Sequence, residues 1–579
     1  MTQFDTLIKG GRIVDGSGGK PFTADIAIKD GLIAAIGARP GSAAQVIDAD
    51  GLTVTPGWVD IHTHYDGQVS WDPVLAQSLG HGVTTAVIGN CGVGFAPAAP
   101  ERRDWLIGLM EGVEDIPGAS LAAGMRWNWE SFPQYLDALD ATPRSFDIAA
   151  QLAHGALRAY VMGERGAANQ AATADDIAQM ARLTREAMDA GAVGFSSSRT
   201  EVHIAVDGRP VPGTYAAEDE LIALARAVKD SRRGLLEMVN PGVAGEDVAG
   251  LDRDMGVMRR IAAASGCPLL FLLVQHNSDA NQWRRQLAVC EEAARAGERI
   301  IPQVAGRPVS ILFSFEGEHP WRFMPSYQPL QNRPFAERYA ALRDPALRAR
   351  LLAEQDPNNS GFSLIYKNPS LWQHTYAAGA PIDYTPPRSR SIAEIARLSG
   401  RSPWETAYDL LLENGGRAFL AHLPVNYADG TPDAVQAMLR HPLSVLGLSD
   451  AGAHVRLIND AGMHTYMLTR WVRDAREGDP CHLPIEFMVR KLTAANAELY
   501  GFADRGRLAP GLRADINLID LERLHTQAPR MAYDLPAGMP RLVDRADGYV
   551  ATLVKGQTVY RHGEDTGARP GRVLRSRVH

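Results

Sequence analysis

Eight short apolar runs punctuate the middle of the chain, and longer amphipathic stretches separate most of them. The runs are 58–64, 84–90 (TTAVIGN), 147–154 (DIAAQLAH), 192–198 (AVGFSSS), 234–240 (GLLEMVN), 269–276 (LLFLLVQH), 299–305 (RIIPQVA) and 444–450 (SVLGLSD). Residues 173–190 are the clearest helix between two of them: Thr173 with Asp176 forms a capping box, and Gly191 stops the helix. Repeated strand–helix units give a parallel sheet, because the helix carries the chain back before the next strand begins. Eight such units predict an α/β chain folded as a closed (β/α)8 TIM-like barrel. A doubly wound open sheet is the alternative, but no Gly-x-Gly-x-x-Gly follows an early strand.

The two ends of the chain read differently. Residues 24–37 alternate as a hairpin that turns at Lys29-Asp30-Gly31. Residues 514–520 and 549–561 are strands too, the latter a hairpin turning at Lys555-Gly556. The expected organisation is a small β-sandwich domain built from both termini, 1–55 plus 506–579, bracketing the barrel at 56–505. One connection, about 306–443 between strands seven and eight, is far longer than the others. It is rich in Pro, Arg and aromatics (HPWRFMPSYQPL) and has helical stretches such as 335–354. So long a connection is either a lid that shapes a site or a passive surface insertion.

Composition narrows the function classes. Of the 579 residues, 45% are hydrophobic and 22% charged, with a net charge of -8 and no Lys/Arg-rich run. Nucleic acid and anionic membranes are therefore not expected partners. No apolar signal core opens the sequence, and the densest apolar run, PLLFLLV, is too short to span a bilayer. Four scattered cysteines, Cys91, Cys267, Cys290 and Cys481, do not suggest a disulfide framework. The expectation is a cytoplasmic protein with reduced thiols and a small-molecule partner, its oligomeric state open and a homo-oligomer allowed.

In a barrel the chemistry sits at the C-terminal ends of the strands. Strand one ends in PGWVDIHTHYDG, where His62 and His64, one residue apart, face the same way. Cys91 follows strand two, in GNCG. His154 ends strand three, Glu237 lies in strand five, and His276 ends strand six. Asp450 ends strand eight, in GLSDAGAH, with His454 just beyond. A convergent ring of His, Cys, Glu and Asp suits a borderline cation such as zinc.

These segments carry a resemblance. VTPGWVDIHTH, GVTTAVIGNCG, AHGALR with VMG, GAVGFSSS, GLSDAGAH and DRGRLAPGLRADINLID are similar to the metal-dependent amidohydrolase superfamily, in its D-aminoacylase (N-acyl-D-amino-acid deacylase) branch, over about residues 5–522. The resemblance implies the same barrel capped by a β-sandwich, and Zn²⁺ as cofactor, one or two ions per chain. It implies His62 and His64 as first ligands, Cys91 as the branch's metal-binding cysteine in place of a lysine carbamate, and Asp450 as ligand and general base.

Two positions depart from the family pattern. Strand five offers Glu237 where relatives supply histidine; it is either a ligand or a strand-end hydrogen-bonding group. His276 falls about three residues later than expected, with Ser278 rather than lysine beyond it, so it is either a ligand or out of register. His154 either orients substrate or fills the barrel mouth. His454 and Arg456 are substrate-side candidates, with Arg456 suited to an anionic group; a surface or supporting role is the alternative. His203 carries no assignment. The activity implied is hydrolysis of an N-acylated or amide substrate by metal-activated water. A cyclic amide or ester hydrolase, a metal-dependent decarboxylase and a non-enzymatic binding homologue are the alternatives.

Overall fold

The computed structural model of the chain describes residues 3–38, 41–231, 234–243, 245–358 and 362–576. Eight parallel strands form its centre: β1 (Trp58–Asp60), β2 (Val83–Ile88), β3 (Asp147–Ala150, resuming as Leu152–Ala153), β4 (Phe195–Ser198), β5 (Leu236–Val239), β6 (Leu269–Leu272), β7 (Ile300–Val304) and β8 (Val445–Leu446). All are buried on both faces, as parallel strands covered by helices must be. The helix Ala174–Ala190 has the expected capping box, and Gly191 ends it at φ 117°.

The eight strands lie in two ladders rather than one. β1, β2 and β3 pair in order. The second piece of β3 pairs with β4, and β4 to β8 follow in sequence order. The division falls at β3, where the C-terminal strand Val573–Leu574 pairs in parallel with its first half, Val573 opposite Ile148. A single parallel bridge, Thr63 with Ala451, joins the residues following β1 to those following β8.

Strands three, six and eight end short of the candidate residues expected at their ends, each for a local reason. Strand three stops before His154, which instead opens the helix His154–Met162. Strand six stops at Leu272, four residues before His276. Strand eight stops at Leu446, because Leu448 and Asp450 take left-handed backbone, φ 64° and 46°.

Both chain ends contribute to one nine-stranded sheet, in which Thr53–Pro56 pairs with Phe4–Ile13 on one side and Ile516–Ile519 on the other. The expected hairpins turn at Asp30-Gly31 and Lys555-Gly556, all four residues at positive φ. By hydrogen bonding this is a single mixed sheet. It branches at Phe4–Ile13, which pairs with Ala43–Asp48 and Thr53–Pro56 along the same edge.

The long connection is folded. Val309–Phe313, Thr375–Ala377 and Leu420–Val425 form an antiparallel sheet over an aromatic core that includes Phe313, Phe315, Trp321 and Tyr408. It docks on the loop after β6: Gln275 N–H donates to Asn426 Oδ1 (2.8 Å), and Asn426 N–H donates to Gln275 O (2.7 Å). All four cysteines are free thiols. Among the described residues no helix is long and apolar enough to cross a membrane.

One buried carboxylate ties the C-terminal segments to the strands. Asp147, at the start of β3, is fully buried. It accepts from Arg505 Nη1 (2.7 Å), Arg513 Nη2 (3.1 Å) and the Arg572 backbone N–H (2.8 Å). Removing one partner of such a cluster strands the others in a dry interior, typically at a cost of about 3–5 kcal/mol. Asp147→Ala is therefore expected to lower the thermal and urea unfolding midpoints markedly. Unchanged midpoints would show that the cluster contributes nothing to stability.

Candidate metal centre

The residues after β1 stay extended, with Thr63 N–H donating to Val87 O of β2 (3.1 Å). That geometry carries His62 and His64 into the same pocket, ring centroids 5.3 Å apart. His62 Nδ1 meets Gln303 Oε1 of β7 at 2.9 Å. With an amide oxygen there, Nδ1 carries the proton and Nε2 presents its lone pair. That Nε2 lies 3.3 Å from Cys91 Sγ and 3.4 Å from Asp450 Oδ1. His64 Nδ1 faces Glu114 Oε1 at 3.4 Å without a hydrogen bond, and its Nε2 lies 3.9 Å from Asp450 Oδ1. His62 is thus held from behind and offers its other nitrogen forward, as ligating histidines generally do.

Cys91 reaches the pocket through a tight turn after β2. The turn needs glycine at Gly89 (φ 80°), where a Cβ would lie 2.3 Å from Gln151 O. Asn90 fixes it, donating to Thr63 O and Val87 O (both 3.0 Å) and accepting from Gln151 Nε2 (2.8 Å). Cys91 itself is left-handed (φ 56°), as are Asp450 and His454 (both φ 46°). Such backbone in non-glycine residues is held only where surrounding contacts over-determine it, and it concentrates at functional sites. Ser449 supplies one such contact, its Oγ donating to Asp60 Oδ2 (2.5 Å) and to His62 O (3.2 Å).

The electrostatics ask for a cation. Burial, then neighbouring Glu237, pushes the Cys91 thiol well above its usual range. Burial, then Asp450, pushes Glu114 well up. Burial raises Glu237 to about 8, Asp66 to about 8 and Asp450 to about 7, and lowers His62 to about 4. The pocket therefore gathers neutral imidazoles with acids that cannot ionise together unless a positive charge joins them. Glu237 Oε1 is buried without a hydrogen-bond partner. His62, His64 and Cys91 offer donor atoms all within 4.8 Å of one another, with Asp450 Oδ1 alongside. Two nitrogens, a sulfur and an oxygen are a donor set that zinc takes readily.

The other expected residues divide. Glu237 is in the pocket, its Oε2 accepting the Cys91 N–H (3.0 Å). His276 is not brought to the cluster: its backbone bridges Val425 of the long connection, because β6 ends early. His154 is sequestered, one ring nitrogen on Ser197 Oγ and the other on Glu220 Oε1, both 2.9 Å, so neither faces a ligand. Arg456 is neutralised by Asp115 and by Glu318 (2.9 Å), which removes it as a binder of anions. His454 sits at the pocket edge, Nε2 3.6 Å from Glu114 Oε2.

Glu114, Gln303 and His203 add to what the sequence suggested. Gln303 was visible as one polar residue in an apolar strand. Glu114 ends the helix Arg103–Glu114, which approaches so closely that a Cβ on Gly112 would lie 2.3 Å from Ile204 O; no local pattern announces that contact. His203 Nδ1 meets Ser198 Oγ at the end of β4 (3.0 Å).

Comparison with known proteins agrees with this arrangement. The model of the Amidohydrolase family matches residues 45–560. An uncharacterized protein of Mycobacterium tuberculosis (strain ATCC 25618 / H37Rv) is 30% identical over 99% of this chain and 96% of its own length. The D-aminoacylase of Alcaligenes xylosoxydans xylosoxydans is 26% identical over 99% of this chain and 97% of its own. The crystal structure of N-acyl-D-glutamate deacylase from Bordetella bronchiseptica, complexed with zinc and a phosphonate inhibitor, superposes with a TM-score of 0.65 at 26% identity, covering 99% of this chain and 100% of that one. The chain belongs to the amidohydrolase family, in its D-aminoacylase-like branch, and is a hydrolytic enzyme acting on non-peptide amide bonds.

Proposed function

We propose that the protein is an N-acyl-D-amino-acid deacylase that depends on one Zn²⁺, held by His62, His64, Cys91 and Asp450. The observation that carries this reading is the meeting of His62, His64 and Cys91 donor atoms within 4.8 Å, with Asp450 Oδ1 3.4 Å from His62. In this reading the two ladders act as one (β/α)8 barrel and the site is its mouth, which the Thr63–Ala451 bridge supports. Residues 1–55 with 506–579 are then the small domain. The four free thiols favour a cytoplasmic setting. The D-acyl-amino-acid specificity rests on the deacylase relatives.

The bound ion supplies Lewis acidity, which acidifies water and polarises a scissile carbonyl. The chain supplies orientation and proton transfer. Gln303 fixes the His62 ring so that Nε2 faces the donors, and Glu114 stands 3.4 Å behind His64 Nδ1. Asp450 turns Oδ1 to the histidines and, with its side chain 22% exposed, keeps contact with the approach to the site. Its second oxygen takes the proton of the attacking water and returns it to the departing nitrogen, which leaves poorly unless protonated. Glu237 holds the Cys91 backbone in the conformation that presents Sγ.

Three measurements test this. Protein purified without added metal should contain about one zinc per chain by elemental analysis, and Cys91→Ala should lower metal content and amide hydrolysis together; retention of both would make the thiol structural. Asp450→Asn, compared at matched metal content, should lose at least about 10²-fold in kcat; turnover within a few-fold of wild type would assign the base elsewhere. Glu237→Gln should leave zinc stoichiometry near wild type, since the carboxylate serves Cys91. A stoichiometry that falls from about two to about one would make it a ligand of a second ion.

A further inference from the structure

His62, His64 and Glu237 are almost completely enclosed, whereas the Asp450 side chain is 22% exposed. What Asp450 faces is a small, partly open cavity, with Tyr65, Gln68, Gln77, Asp460 and Arg541 among its walls. One wall comes from far along the chain. Arg541 lies on the strand Met539–Val543, in a hairpin with Arg530–Leu535 that also packs on the site loop through Leu542 N–H and Val455 O. Gln77 Nε2 donates to Leu542 O (2.8 Å) and fixes the hairpin from the other side.

Arg541 is the one cationic side chain on the described wall of this cavity. Its Nε and Nη2 hold Asp534 at 2.7 and 2.9 Å, which orients the guanidinium and leaves Nη1 with no hydrogen-bond partner among the described residues. Asp534 is 50% exposed, so water screens much of its charge, while Arg541 is 11% exposed. The other charged groups of the cavity are committed elsewhere: Asp460 pairs with Arg307 at 2.7 Å, and Asp450 belongs to the metal centre. A ligand with one anionic end is attracted to Arg541, the cationic side chain of this wall. Its scissile amide is then left toward Asp450.

We infer that Arg541 is the anchor for the substrate carboxylate, so that the C-terminal hairpin is part of the substrate site. This rests on the deacylase reading of the centre. It also gives a carboxylate its partner in a chain whose Arg456 is already paired with Asp115 and Glu318.

Binding is read apart from turnover with a ketone analogue of N-acetyl-D-alanine, a methylene replacing the amide nitrogen, prepared as the free acid and as the carboxamide. Calorimetry on the zinc-loaded wild-type protein should find the acid bound about 10- to 100-fold more tightly, the range expected for a charge-assisted hydrogen-bonded pair. Arg541→Gln should abolish that preference while leaving carboxamide binding within a few-fold. Arg541→Lys should restore part of it, and Asp534→Asn, which disturbs the hairpin pair without removing the cation, should keep it. A wild-type protein that binds acid and carboxamide alike, or an Arg541→Gln variant that retains the preference, overturns the inference. Hydrolysis of N-acetyl-D-alanine is assayed separately. Arg541-dependent binding without hydrolysis overturns the deacylase reading alone; hydrolysis without Arg541-dependent binding overturns this inference alone.

Discussion

Three carboxyl groups and a thiol share one dry pocket with two imidazoles, and that crowding governs much of the surrounding structure. Cys91, Glu114, Glu237 and Asp450 are each driven toward their neutral forms by burial. A divalent cation reverses this for the whole group at once, because each acid then meets an opposite charge where it had met only others like itself. The left-handed backbone at Cys91 and Asp450 is what brings acids so close to the histidines. Folding and metal binding are thereby coupled: the site is expensive to assemble empty, and occupation returns that cost.

The strands that position this pocket are too short to do so by ladder hydrogen bonds alone. β1 has three residues and β8 two. Side chains supply the rest. Asn90 joins the ends of β1 and β2 to Gln151 of strand three, and Ser449 joins the end of β8 to Asp60 of β1. At the opposite end of the strands, Asp147 gathers two guanidiniums and a backbone N–H from the C-terminal segments. The strand ends that carry the site can hold left-handed turns because both ends of the strands are fixed in this way.

The sequence made the fold's periodic parts legible. Strand–helix alternation, the capping box at Thr173 and the two hairpin turns depend on neighbours a few residues apart, and all are found. His62, His64 and Cys91 were legible because a period-two spacing and a strand-end position already determine where a side chain points. Arg456 was left open between an anion site and a supporting role because its partners, Asp115 and Glu318, are distant in sequence. His154 and His276 were left with two readings each, and the choice depends on distant partners: Glu220 takes one ring, and the long connection bridges the other's backbone. Glu114 was invisible because its role depends on a helix approach made through Gly112, a feature of tertiary contact and not of pattern.

The strand Val573–Leu574 has a bearing on how the molecule is made. It pairs with Ile148 and Ala149, residues translated more than 400 positions earlier. While a ribosome is still adding residues 506–572, every proposed metal ligand has already been synthesised, yet the first half of β3 has an unpaired edge. An exposed edge is a template for pairing with another chain. Protection of this edge during synthesis thus falls to Val573–Leu574, which clasp β3 in the folded chain.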